Sequence, residues 1–213
     1  MEFIAEELDD YVCANTQAEP TVLAELNRKT HAEVLYPRML SGHFQGRVLS
    51  MLSHMIKPRR ILEIGTYTGY SALCFAEGLT EDGKIFTIDV NEELEELVKT
   101  FVEKAGFQSK VEYLIGDATA IIPTLEEEWD IVFIDADKKS YCQYYDLVFD
   151  KVKKGGYIIA DNVLWSGKVL HDYESLDRET KVIVDYNTKN QEDKRVENVL
   201  LPIRDGLMIA RKL

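Results

Sequence analysis

Two short apolar runs constrain this chain more than any other feature of its sequence. Trp129 to Ile134 reads W-D-I-V-F-I and stops at Asp135, Asp137 and Lys138; Tyr157 to Ala160 reads Y-I-I-A and stops at Asp161 and Asn162. Aromatic and β-branched runs this short, bounded by polar residues, mark strands covered on both faces, the condition of strands in a parallel sheet. In such sheets ligands collect beyond the carboxyl ends of the strands. If the two strands are neighbours, about 4.8 Å apart, the oxygens of Asp135, Asp161 and Asn162 can converge on one point. Three hard oxygens at one point suit a divalent cation.

The rest of the chain supplies a frame for such strands. From Arg60 onward strand and helix patterns alternate, which predicts a doubly wound α/β fold. Strands are expected at 60–64, 84–88, 110–115, 130–134, 156–160, 195–201 and 206–211, with helices between the first six. The last two sit only a short turn apart and should form an antiparallel hairpin at the sheet edge. Residues 1 to about 55 read as helical. Phe3, Ile4, Leu8, Tyr11 and Val12 share a face of one helix, and Pro20 opens a second that carries Val22, Leu23 and Leu26. These helices are expected to pack as a layer on the sheet, a partner-binding segment being the other reading. Ser41 to Gly46 interrupts the pattern and is expected as a mobile loop, after which Val48, Leu49, Leu52 and Ile56 resume it. The whole is read as one domain over 1–213, with a helical cap over 1–57 and an α/β core over 58–213.

Charge and cysteine usage exclude several functions. With 38 acidic against 25 basic residues the net charge is −13, which repels a phosphate backbone and argues against generic nucleic-acid or anionic-membrane binding. The three cysteines, Cys13, Cys74 and Cys142, form no C-x-x-C pair, which argues against a disulfide framework or a zinc site. The acidic start M-E-F-I-A-E-E-L-D-D is unlike an export signal, and no run approaches the ~18 apolar residues of a membrane span. A soluble, cytoplasmic protein is expected.

The first strand adds a second site. Ile61-Leu62-Glu63-Ile64 runs into Gly65-Thr66-Tyr67-Thr68-Gly69-Tyr70-Ser71 and then into a helical pattern. The loop matches neither G-x-G-x-x-G nor a P-loop, so a dinucleotide or a triphosphate loses support. A Gly-x-x-x-Gly turn preceded by an acid suits a nucleoside with a positively charged tail. Asp89 ends the second strand, where a carboxylate can accept hydrogen bonds from a ribose diol, and Gly116-Asp117-Ala118 closes the third near an adenine position. Taken singly, each strand-end acid, including Asp135 and Asp161, could instead cap the helix that follows it.

The sequence resembles the class I S-adenosylmethionine-dependent methyltransferases, and within them the cation-dependent O-methyltransferases that include catechol and caffeoyl-CoA O-methyltransferases. The resemblance is carried by E-I-G-T-Y-T-G-Y-S at 63–71, I-D at 88–89, G-D-A at 116–118, D-A-D-K-K-S-Y at 135–141, D-N-V-L-W-S-G at 161–167 and L-P-I-R-D-G-L at 201–207. It implies a Rossmann-like fold with a seven-stranded, mostly parallel sheet, an antiparallel C-terminal hairpin and N-terminal helices. It also implies that Glu63, Gly65, Tyr67, Gly69 and Ser71 surround the methionine part of the cofactor and that Asp89 holds its ribose. Ala118 then lies at the adenine, and Ser41 and Asp135 are further cofactor contacts. Asp135, Asp161 and Asn162 match the metal ligands, Lys138 the catalytic lysine, and Trp165 with Lys138 the acceptor site. Tyr141, Tyr144 and Tyr145, on the following helix, read as packing.

These residue types suit methyl transfer to a phenol, whose pKa of about 10 leaves it protonated at neutral pH. Mg²⁺, with Mn²⁺ or Ca²⁺ as substitutes, can chelate vicinal hydroxyls and lower that pKa, while a lysine beside the same charge serves as base. The implied reaction is O-methylation of a small ortho-dihydroxy aromatic by a homodimer. The alternatives are methylation of a hydroxylated uridine in tRNA, and a catalytically idle cofactor-binding module. Animal catechol O-methyltransferases carry tryptophan immediately before the catalytic lysine; Asp137 stands there in this chain, which places it nearer the bacterial and plant branch. A coenzyme A acceptor needs cations, for which Arg28, Lys29 and Arg38 are the nearest candidates. Glu197 is either an acceptor contact or a cross-strand partner.

Overall fold

The computed structural model describes residues 5–213. Phe3 and Ile4, assigned above to the first helix, lie outside them. Seven strands form one sheet in the order β3-β2-β1-β4-β5-β7-β6. The chain divides into two compact units, Ala5–Ala118 and Thr119–Leu213.

The first unit holds α1 (Glu6–Ala14), α2 (Thr21–Glu33), α3 (Gly42–Ile56), β1 (Arg60–Ile64), α4 (Tyr70–Ala76), β2 (Lys84–Asp89), α5 (Glu95–Lys104) and β3 (Val111–Ile115). The three strands are parallel, with Ile64 paired to Ile88 and Asp89 to Ile115. Four of the five β1 residues and all of α4 are buried, as a strand and a helix with few polar residues must be. Pro20 caps α2 as expected, and Leu23 and Leu26 are buried.

Two expectations fail in this unit. Helix α1 buries no residue, and Leu8 and Tyr11 are 51% and 66% exposed, so its apolar face is not packed within the unit. Ser41 to Gly46 is not a loop: α3 begins at Gly42 and runs unbroken to Ile56. Gly46 sits inside the helix because a Cβ there would stand 2.6 Å from Tyr70 Cε1 and 2.9 Å from Cys74 Sγ. The glycine lets α3 and α4 approach closely. Beside it Arg47 makes a two-pronged ion pair with Glu77, both bonds 2.9 Å.

The second unit holds β4 (Trp129–Ile134), α7 (Tyr141–Phe149), β5 (Val152–Asp161), α8 (Arg178–Glu192), β6 (Val196–Leu201) and β7 (Leu207–Lys212); the single turn α6 (Ala118–Ile121) precedes β4. Strands β4 and β5 are parallel neighbours, and β5–β7 and β6–β7 are antiparallel, which is the expected edge hairpin. β5 begins four residues earlier than the pattern predicts. Its register against β4 shifts between Trp129 and Ile131, and Gly155 takes φ +81°, so a bulge carries the ladder through the K-K-G-G stretch at 153–156. Trp129, Ile131, Val132, Phe133 and Ile134 are fully buried, each worth about 1.5–3 kcal/mol of burial. That packing fixes where β4 ends. No helix among the described residues is long and apolar enough to cross a membrane.

Candidate active site

In the first unit, the expected cofactor residues gather at the carboxyl ends of the three parallel strands. Gly65, with φ +102°, leaves β1 while its N–H still donates to the Ile88 carbonyl at 2.9 Å. Gly69 closes the turn, donating to the Thr66 carbonyl at 2.8 Å, and its own φ of +85° opens α4. Between them Tyr67 takes φ +49°, a left-handed conformation that costs a non-glycine residue about 1–2 kcal/mol. Two bonds hold it there: its N–H donates to Asp89 Oδ2 at 2.7 Å, and its hydroxyl donates to the Leu35 carbonyl at 3.1 Å. Asp89 thus clamps the loop from the neighbouring strand, and its other oxygen accepts from the Asn91 N–H at 2.9 Å.

Glu63 is fully buried and accepts from the Thr87 hydroxyl at 2.5 Å, with the Thr66 hydroxyl 2.6 Å from that of Thr87. A buried carboxylate is stable only with partners, and this string of hydroxyls ties it to the glycine turn. Ser71 is buried in the first turn of α4, Ser41 is buried at the start of α3, and Ala118 is buried just beyond β3.

In the second unit, Ile134 pairs with Ala160, so Asp135 and Asp161 follow directly at the same end of adjacent strands. Asp161 is 3% exposed, and its Oδ1 accepts from the Asn162 N–H at 2.7 Å. Lys138, in the single turn before α7, has a side chain only 10% exposed and lies with its Nζ 3.2 Å from Asp135 Oδ1. Its second partner is the Tyr141 hydroxyl, at 2.6 Å. That hydroxyl in turn donates to the Asp161 carbonyl at 3.0 Å, the Ile134 carbonyl lying 3.3 Å away. Burial, with Asp135 and Asp161 nearby, pushes the Tyr141 pKa well above its ordinary value, so it stays a neutral hydroxyl.

Beyond Asp161 the backbone is unusual. Asn162, Trp165, Ser166 and Gly167 all have positive φ, between +47° and +77°. The Trp165 ring lies 5.9 Å from Lys138 Nζ and 5.9 Å from Lys168 Nζ, and its indole N–H is buried without a hydrogen-bond partner among the described residues.

The O-methyltransferase family model matches residues 13–213. A caffeoyl-CoA O-methyltransferase of Nicotiana tabacum is 34% identical over 206 residues, covering 92% of this chain and 85% of that one. One from Petunia hybrida is 35% identical over 208 residues, with the same two coverages. The chain belongs to the O-methyltransferase family. Among solved structures, an O-methyltransferase from Bacillus cereus in complex with SAH is similar with a TM-score of 0.89 at 28% identity, covering 97% of each chain. An SAH-bound methyltransferase of Podospora anserina gives a TM-score of 0.89 at 27% identity, covering 100% of this chain and 98% of the other.

For this O-methyltransferase the donor set expected to hold a cation is chemically suited to one. It comprises two carboxylates and an amide, all hard oxygens, with Asp161 withdrawn from water. Among the described residues no group of three or more His, Cys, Asp or Glu side chains is arranged to hold a metal; the expected set has only two carboxylates, with the Asn162 amide as its third member. Several other residues have different partners. Lys29, a candidate for a coenzyme A phosphate, pairs with Glu33 at 2.6 Å. Glu197 lies across from Arg211 in the β6–β7 ladder and pairs with it at 2.7 Å, the cross-strand role. Asp137 accepts from the hydroxyls of Ser140 and Tyr144, at 2.7 and 2.6 Å, and so shapes the turn that carries Lys138.

The residue that sequence reasoning missed is Tyr141. Its ring is fully buried, as a packing residue's should be, and stacks edge-on against Tyr186 at 5.5 Å. Its hydroxyl nevertheless joins Lys138 to the ends of β4 and β5. The available signal is its place three residues beyond Lys138, which itself stands three beyond Asp135.

Proposed function

We propose that this chain transfers the methyl group of S-adenosylmethionine to one hydroxyl of a small ortho-dihydroxy aromatic acceptor, of the catechol or hydroxycinnamoyl kind, with the help of a divalent cation. The observation that carries the reading is the position of Lys138: nearly buried, between Asp135 and the Tyr141 hydroxyl, beside the ends of β4 and β5. The relatives named for caffeoyl-CoA support the acceptor class. Asp135, Asp161 and Asn162 would hold the cation, Mg²⁺ by its preference for oxygen ligands, and when bound it lowers the pKa of a chelated hydroxyl and fixes its direction.

The chain's own residues do the rest. Lys138 takes the acceptor's phenolic proton, and Asp135 and the Tyr141 hydroxyl, already 3.2 and 2.6 Å away, hold the ammonium that results. The phenolate oxygen attacks the methyl carbon of the donor, the C–S bond breaks as the C–O bond forms, and a neutral thioether leaves. Glu63, Gly65, Tyr67, Gly69 and Ser71 position the donor's methionine end, Asp89 its ribose and Ala118 its adenine, with Ser41 and Asp135 as further contacts. Trp165 supplies a planar wall for the acceptor. Holding oxygen and methyl in line contributes up to about 7–11 kcal/mol in such reactions.

We treat 1–213 as one methyltransferase domain, with 1–57 as its helical cap. Its reaction belongs to the cytoplasm, a reading that the three free thiols of Cys13, Cys74 and Cys142 support. A homodimer is the assembly we favour, and light scattering would then return twice the 24.4 kDa chain mass. The function itself is tested by incubating the protein with labelled S-adenosylmethionine, Mg²⁺ and a panel of a catechol, a hydroxycinnamoyl coenzyme A ester, a monophenol and tRNA. Label on the ortho-dihydroxy compounds alone supports it; label on tRNA alone refutes it.

A further inference from the structure

We infer that Asp205, in the turn between β6 and β7, is a positioning residue that latches the strained loop carrying Asn162 and Trp165; the inference rests on the function proposed above. Four residues in six of that loop, Asn162, Trp165, Ser166 and Gly167, take left-handed φ. Three of them are not glycine, and such a stretch persists only where its surroundings over-determine it.

The surroundings are the turn at 203–206. The Leu164 N–H donates to the Asp205 carbonyl at 2.8 Å and the Val163 N–H to the Gly206 carbonyl at 3.2 Å. The Asp205 side chain adds what the backbone cannot: its Oδ1 accepts from the Ser166 N–H at 2.5 Å, at the centre of the left-handed run. The turn is itself built for this contact. Gly206 has φ +90°, and a Cβ on it would stand 2.6 Å from Leu164 Cγ, so only glycine allows the approach. Gly206 donates to the Ile203 carbonyl at 2.8 Å, closing the turn that presents Asp205. A charge-assisted bond to backbone is about twice as strong as a neutral one, enough to select one loop conformation.

The latch acts on two groups at once. It sets the stretch of backbone that follows Asn162, hence the direction of the proposed amide ligand, and it holds the indole of Trp165 against Lys138. Asp205 acts through the loop, by its bonds to Ser166 and Leu164, and not on the acceptor or cation directly.

The test compares Asp205→Ala, which removes the acceptor, with Asp205→Asn, whose Oδ1 can still accept from Ser166. Acrylamide quenching reads the loop directly, because Trp129 is fully buried and Trp165 is the accessible tryptophan of the two. Mn²⁺ titrated into the whole chain and followed by electron paramagnetic resonance reads the cation site. The expected result for Asp205→Ala is a rise of at least twofold in the quenching constant and a loss of about tenfold or more in Mn²⁺ affinity, with Asp205→Asn within about threefold of the unaltered chain on both. The inference is overturned if Asp205→Ala leaves the quenching constant unchanged, or if Asp205→Asn is as impaired as Asp205→Ala. Should the unaltered chain itself take up no Mn²⁺, the proposed function fails, and the latch is then decided by quenching alone.

Discussion

Lys138 Nζ lies 2.6 Å from the hydroxyl of Tyr141, and the same hydroxyl reaches the Asp161 carbonyl at 3.0 Å, so one buried side chain ties the lysine to the end of β5. A lysine alone has four rotatable bonds to order; braced on two sides, by Asp135 and by Tyr141, it keeps one direction. Tyr141→Phe removes the hydroxyl, and with it the bonds to Lys138 and to the Asp161 carbonyl, while the ring stays the same size. Leaving buried polar groups without a partner costs about 1–3 kcal/mol. The expected outcome is a kcat lowered about tenfold with KM nearly unchanged and the far-ultraviolet spectrum intact, read by steady-state kinetics. A kcat within twofold of the unaltered chain would reduce Tyr141 to packing.

Lys138→Met keeps the aliphatic stem and removes the proton acceptor. General base groups contribute about 10²–10⁴-fold, and a loss of kcat in that range is expected while the labelled donor still binds. Retention of more than a tenth of the activity would move the base elsewhere.

Close packing makes Gly46 a stability test. Alanine ordinarily stabilises a helix by about 1 kcal/mol relative to glycine, but the added methyl would stand 2.6 Å from Tyr70 Cε1 and 2.9 Å from Cys74 Sγ. Overpacking of this kind costs about 1–3 kcal/mol, so Gly46→Ala should lower the denaturation midpoint. A raised midpoint would mean that α3 and α4 separate easily.

Acid sensitivity has an identifiable contributor. The guanidinium of Arg195 holds the Asp193 carboxyl well below the usual carboxylate range, with its own backbone N–H and the Tyr145 hydroxyl assisting. Because the folded-state pKa is the lower one, this contribution to stability is complete above the ordinary aspartate pKa of about 4 and is lost as pH falls below it. Asp193→Asn should therefore melt below the unaltered chain at pH 7, and the gap should narrow between about pH 4 and pH 2 in calorimetric scans. A gap independent of pH would assign the difference to packing.

How much of this was legible beforehand depends on whether the determinant is local. The strand ends could be read from residues 60–64, 84–88 and 130–134, because a doubly covered strand is apolar throughout and its polar terminus is abrupt. The neighbour relation of β4 and β5, on which the pairing of Asp135 with Asp161 rests, stands in the sequence only as a condition, because strand order is set by pairing across the sheet and not by the runs themselves. The sequence pattern breaks at Ser41 to Gly46 where α3 does not, because the reason for Gly46 lies in Tyr70 and Cys74, residues far along the chain. The bulge that lengthens β5 depends on its partner strand, and the exposure of Leu8 and Tyr11 depends on what the rest of the unit leaves uncovered. Tyr141 looked like core because it is core; its hydroxyl matters only through carbonyls 7 and 20 residues away. The latch at Asp205 is of the same kind, a contact across 39 residues.

The cation requirement is the central claim, and Asp161→Ala assayed beside the unaltered chain tests it most directly. With labelled S-adenosylmethionine and an ortho-dihydroxy aromatic, the unaltered chain should lose at least a hundredfold in rate when a chelator is added and recover it with excess Mg²⁺, while Asp161→Ala should stay slow in both conditions. Transfer that proceeds at the same rate with chelator present, or that survives Asp161→Ala undiminished, would contradict the account.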